Sequence, residues 1–142
     1  MKYQVTFQID EQIEKVTQLY INKDRMKDWE TGLIRIEEHK GTLFNTGSEG
    51  HLIFIDHQME TNMKIYVESN QLPKEIVIVY QLSGTWNRCV NTFKKVDKKT
   101  EWTMDVEFRF SEPQEVKLEK LIEQTAKGMQ SFKDFVEQNA KK

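Results

Sequence analysis

The hydrophobic and polar positions of this chain form one strand pattern, a brief helical interlude, six further strand patterns and one long helix. From Lys2 to Ile9 the alternation is strict. Tyr3, Val5, Phe7 and Ile9 share one face and Lys2, Gln4, Thr6 and Gln8 the other, which describes a half-buried strand. Asp10 is the expected N-cap of a short helix, with Glu11 and Glu14 in its first turn and Ile13, Val16 and Leu19 or Tyr20 on its buried side. A second short helix is expected from Asn22 or Lys23 to Trp29, ended by Thr31-Gly32. Strands are then predicted over Leu33–Lys40, Glu49–Ile55, Met59–Glu68, Glu75–Leu82, Thr85–Val96 and Thr100–Phe110. The turns between them are short, as in an antiparallel meander.

The last helical pattern is the longest. Leu118, Ile122, Thr125, Met129, Phe132 and Val136 recur in steps of four and three, widened by Leu121 and Phe135. Lys117, Lys120, Glu123, Lys127, Asp134 and Glu137 occupy the opposite face, so this is one apolar stripe that needs a partner surface. Ser111 is read as its cap, with Gln114 completing a capping box and Pro113 in the first turn. The long helix therefore lies against one large antiparallel sheet, an α+β architecture.

Pairing Asp97 with Thr100 in the last hairpin sets Phe93 opposite Met104, Asn91 opposite Val106, Cys89 opposite Phe108 and Arg88 opposite Arg109. One face of the hairpin is then apolar and aromatic but carries Asn87 and Asn91. Continued through Ser83-Gly84, the register adds Tyr80, Ile78 and Ile76 to that inner face. It leaves Val77, Val79, Trp86 and Val90 outside.

Composition narrows the class. A chain of 142 residues suits one domain, expected over 1–142, and buries enough surface to need neither disulfide nor metal. The single cysteine, Cys89, excludes an internal disulfide and fits a reducing compartment. No apolar run is long enough for a signal peptide or membrane span, so a cytoplasmic location is expected. Net charge is −2 with both signs interspersed, which argues against nucleic acid as a partner.

The order of elements, together with Trp29 before the second strand, Gly41 and Gly47, Leu72-Pro73, the run Gly84-Thr85-Trp86-Asn87, the run Glu107-Phe108-Arg109-Phe110 and Phe132-Lys133 in the closing helix, resembles the START-like helix-grip superfamily (SRPBCC). Its branches include birch-pollen-allergen-like, polyketide cyclase/dehydrase and lipid-transport proteins. The resemblance covers nearly the whole chain. It implies a sheet of about seven strands wrapped around the C-terminal helix, two short helices after the first strand, and a hydrophobic cavity between sheet and helix. The polar segment Ser111–Glu115 departs from the Gly/Met/Phe-rich stretch found there in relatives.

Within that frame the candidate ligand-binding residues are Trp29, Met59, Met63, Tyr80, Asn87, Asn91, Trp102, Met104, Phe108, Met129 and Phe132. Flexible thioethers and flat rings suit an adaptable apolar pocket, although apolar stripes are more often plain core. The two asparagines either orient a ligand's polar end or bond within the core, since buried amides need partners. Gly128 marks either a close approach near a pocket or ordinary packing. His39, His51 and His57 show no metal-binding spacing, and no metal or cofactor is expected. Cys89 reads as a small buried hydrophobe. No inward acid or base is evident except Tyr80 and the histidines, so no catalytic residue is assigned. Three functions stay open: binding of a small hydrophobic or amphipathic ligand, cyclase or dehydratase chemistry, and a protein-interaction module like the chaperone-activating relatives. The outer valines and Trp86 are a candidate homodimer patch.

Overall fold

The computed structural model describes residues 1–112 and 115–140. Strand β1 (Lys2–Ile9) leads into helix α1 (Ile13–Tyr20) and a 3-10 helix (Lys23–Asp28). Strands β2 (Leu33–Lys40), β3 (Glu49–Asp56), β4 (Met59–Gln71), β5 (Glu75–Leu82), β6 (Thr85–Val96) and β7 (Lys99–Phe110) follow, and helix α2 (Leu118–Ala140) closes the fold. The seven strands form one antiparallel sheet in the order β1-β7-β6-β5-β4-β3-β2, so the first strand lies beside the last.

The apolar stripe of α2 crosses the inner face of this sheet. Met129, Phe132, Phe135 and Val136 join Leu52, Ile65, Val67, Ile76, Ile78, Phe93 and Trp102 in one core, closed on its flank by Val16, Tyr20, Met26 and Trp29. Rings dominate it. Phe132 lies 4.7 Å from Trp29, 5.2 Å from Tyr20 and 5.3 Å from Trp102, centroid to centroid, in edge-on contacts. Edge-to-face contacts place positive ring edges on negative ring faces and add to the burial term.

Several local expectations are corrected. Gln12, not Asp10, occupies the N-cap of α1 and makes no side-chain cap bond; the Asp10 N–H donates to Glu137 instead, at 2.8 Å. The long helix starts at Leu118 rather than at Ser111, because the Ser111 N–H extends the β6–β7 ladder by donating to the Gly84 carbonyl at 2.9 Å. Pro113 and Gln114, the rest of the expected capping box, lie outside the described residues. Leu118, at the helix start, is 40% exposed and not part of the buried stripe.

The register of the last hairpin differs by two residues. Val96 pairs with Lys99, which sets Phe93 opposite Trp102, Asn91 opposite Met104, Cys89 opposite Val106 and Asn87 opposite Phe108. The loop is only Asp97-Lys98, and Asp97 takes φ 55°, a region that aspartate tolerates better than most residues. A two-residue slip keeps every side chain on its expected face. It also places Arg88 opposite Glu107 and Lys94 opposite Glu101 instead of opposing two arginines.

The outer patch is smaller than its sequence suggests. Val77 and Val79 are only 4% and 7% exposed, although they face outward. Arg88 on β6 reaches Glu68 on β4 through two bonds of 3.0 and 2.7 Å, across the intervening strand β5 that carries both valines. The stems of such long ionic side chains cover apolar surface while their heads stay wet.

Candidate functional site

The cavity is built where the Trp29–Gly32 turn, the middle of the sheet and α2 meet. The turn is held rigidly. The Trp29 and Glu30 N–H groups both donate to the Met26 carbonyl, at 3.3 and 2.9 Å, and the Leu33 N–H donates to the Glu30 carbonyl at 3.1 Å. From α2, the Ser131 hydroxyl donates to the Trp29 carbonyl at 2.8 Å. Gly32 adopts φ 84° against the Ile55 carbonyl, where any Cβ would collide at 2.8 Å. At the other end of the helix, the Tyr3 hydroxyl bonds Thr125 at 2.6 Å and the Leu121 carbonyl at 3.1 Å, pinning β1 to α2.

Between these anchors lies a cavity of about 300 Å³. Of the residues expected to line one, Trp29, Met63, Tyr80, Asn87, Trp102, Met104, Phe108 and Met129 do so. Tyr20, Glu30, Phe54, Cys89, Leu121, Gln124, Thr125 and Gly128 line it as well.

Three expected residues are elsewhere. Met59 lies at the end of the β3–β4 hairpin and is 70% exposed, because the hairpin tip extends beyond the surface that α2 covers. Phe132 is fully buried among aromatic rings and belongs to the core. Asn91 is also fully buried, with its bonds internal: it accepts from the Trp102 indole at 3.0 Å, and its amide faces the Ile76 carbonyl at 3.5 Å. The replacement Asn91→Ala should therefore cost about 1–3 kcal/mol of stability by orphaning a buried N–H. Urea denaturation checks the loss, and affinity for anything held in the cavity should not change.

The polar groups that do face the cavity are few. Asn87 accepts weakly from the Cys89 thiol at 3.5 Å, and its amide nitrogen has no protein partner among the described residues. Trp29 also lines the cavity, but its indole N–H is buried away from open space and has no partner among the described residues. Tyr20 and Tyr80 both line the cavity, and burial raises both phenols well above their ordinary range. Burial likewise pushes the Cys89 thiol up to about 12, which makes it an inert thiol and not a nucleophile.

Glu30 is the residue that sequence reasoning missed. Its carboxyl lines the cavity with no hydrogen-bond partner among the described residues, and burial raises it to about 7. The expectation that no acid or base faces the interior beyond Tyr80 and the histidines is corrected by this group. It sits in a turn, outside any periodic pattern, so face-counting along strands and helices does not reach it. The only available signal was an acidic residue wedged between Trp29 and the Thr31-Gly32 stop. None of the three histidines lines the cavity.

Gly128 and Gln124 are exposed members of the lining and mark its solvent side on α2. A Cβ at Gly128 would meet nothing within 4 Å. The variant Gly128→Ala should thus gain up to ~1 kcal/mol from helix propensity with no steric cost, read as a raised thermal midpoint.

No family model matches the chain, and no curated protein matches it in sequence. Solved structures do match. The crystal structure of Ara h 8.0201 superposes with a TM-score of 0.80 over 96% of this chain and 97% of its own, at 8% identity. CV1439 from Chromobacterium violaceum gives 0.78 over 96% and 98%, at 10% identity. The di-domain ARO/CYC protein StfQ of the steffimycin biosynthetic pathway gives 0.77 over 98% of this chain and 46% of its own, at 12% identity. These likenesses are of architecture: the seven-stranded antiparallel sheet closed by a long C-terminal helix is the helix-grip fold.

Proposed function

We propose that the protein binds a small amphipathic molecule in the cavity between sheet and α2. The observation that carries this reading is a mostly apolar cavity of about 300 Å³ with the polar side chains of Glu30 and Asn87 in its wall. Pockets for small molecules have this make-up, with apolar walls and a few directed polar groups. The volume limits the ligand. It has room for one or two rings or a short acyl chain, and a sterol or four-ring polyketide needs further room or must extend through the open side at Gln124 and Gly128. Met63, Met104 and Met129 can yield some by changing rotamer.

A second reading is acid–base catalysis on such a molecule, of the kind the ARO/CYC designation of StfQ suggests. Glu30 favours it. A carboxyl held near 7 exchanges protons at neutral pH, as a general acid or base must. A partner-binding module through the outer sheet face is less well supported, since Val77 and Val79 are already covered.

Native mass spectrometry after incubation with short-chain acids, one- and two-ring aromatics and larger sterols tests the binding reading. One retained small molecule per chain is expected. The variant Asn87→Leu should weaken its binding ~10-fold, the worth of one directed hydrogen bond. Retention of nothing smaller than a sterol, or equal affinity in Asn87→Leu and in Gly128→Phe at the mouth, would overturn it. Turnover that disappears in Glu30→Gln while binding persists would move the assignment to the enzyme reading.

A further inference from the structure

We propose that Glu37, His39 and His51 form a binding site for one divalent transition-metal ion of the zinc class, on the outer face of the β2–β3 pair. Spacing along the chain conceals this site; strand pairing assembles it. Glu37 and His39 are two apart on β2 and share a face, while His51 on β3 is the direct cross-strand partner of Glu37. One donor atom from each of the three lies within 4.8 Å of the others. The two imidazoles meet edge to face at 4.4 Å between centroids, and His39 Nε2 is 3.9 Å from Glu37 Oε1.

Two further observations point to a ligand. His51 Nδ1 is buried and has no hydrogen-bond partner among the described residues. A buried unpaired ring nitrogen is costly, and a metal ion bound at that nitrogen would take the place of the missing partner. Glu37 is also held in advance. Arg35 donates to its Oε2 at 3.0 Å and to Glu60 at 2.9 Å, leaving Oε1 turned towards His39. A carboxylate with one oxygen oriented by a neighbour and the other free is the usual arrangement around a metal. The β2 register breaks between Glu38 and Lys40, so the irregularity falls at His39; such bulges re-aim side chains.

The donor set of two imidazoles and one carboxylate suits zinc or copper better than magnesium or calcium. Tetrahedral coordination needs donors ~3.3 Å apart, so side-chain rotations of roughly 1 Å close the site. Arg35 and Lys64, the strand partner of His51, are the nearby cations that oppose it. The site is on the opposite sheet face from the cavity, so its success or failure is independent of the ligand reading.

Calorimetric titration of metal-free protein with zinc chloride at slightly alkaline pH tests the proposal, with cobalt(II) absorption reporting coordination geometry. One equivalent is expected to bind, and His39→Gln, His51→Gln and Glu37→Gln should each weaken binding by ~10-fold or more. His39 is half exposed, so its variant folds and keeps the test decisive. His57, at the hairpin tip beside Asp56, is the control, and His57→Gln should change nothing. Absence of saturable binding below ~1 mM, equal affinity in His39→Gln and wild type, or loss of binding in His57→Gln overturns the site.

Discussion

Replacing Phe132 by alanine should remove about 3–5 kcal/mol of stability, the usual cost of truncating a large ring inside a core. The side chain is fully buried and touches Tyr20, Trp29, Trp102 and Phe135 through its ring. Those partners come from α1, the Trp29 turn, β7 and α2 itself, so no single element can move in to refill the void. A domain of this size is stable by about 5–15 kcal/mol in total, so the variant loses a large share of it. The thermal midpoint should fall by roughly 6–20 °C. Met59→Ala, at an exposed hairpin tip, should stay within about 0.5 kcal/mol of wild type. Urea unfolding of both variants checks the pair. Equal losses would mean that α2 does not seal the core as described.

The second large effect is pH-dependent. Folded Glu30 holds its proton up to about pH 7, whereas in the unfolded chain it releases it near 4.5. Between those values the folded state binds more protons than the unfolded one, so the Glu30 contribution to stability falls as pH rises. Below the unfolded value it is fully present; above the folded one it is lost. Glu30→Gln lacks this titration. It should match wild type near pH 4 and exceed it by up to about 3 kcal/mol at pH 8, from a displacement of 4.5 to about 7. Urea midpoints of the two proteins across that range give the difference directly. A constant gap at every pH would place the Glu30 carboxyl in water.

Periodicity reads well where burial is one-sided. Strands β1, β2 and β6 have the expected bounds, as does β5, read from its β-branched run and buried on both faces, and Tyr80, Ile78 and Ile76 share the inner face with Asn87 and Asn91 as expected. The two-residue slip in the β6–β7 pair shows the limit of the method. Alternation has period two, so face assignment cannot distinguish registers that differ by two. The charge pairing Arg88 with Glu107 and Lys94 with Glu101 distinguishes them, and weighing direct opposites above diagonals would have chosen correctly. The cavity wall was legible in the same partial way. Residues on strands and on α2 were reachable by counting faces. Glu30, in a turn, and the His39–His51 contact, between strands, depend on three-dimensional placement. Asn91 was recognised as buried, but whether its partner would be a ligand or Trp102 was a question of distances.

The pairing of β1 with β7 has a consequence for how the chain reaches this state. Lys2 lies opposite Glu107 and Ile9 opposite Thr100, so the first strand finds its ladder partner in the last one. A ribosome releases β1 long before β7, and the apolar side of Tyr3, Val5, Phe7 and Ile9 must wait uncovered in the meantime. Long-range closure of this kind slows folding and lengthens the exposure of a sticky edge. The other strands pair with their immediate successors and can assemble as they emerge. On this topology β1 cannot complete its ladder until β7 has formed, and Tyr3 then anchors it to the closing helix.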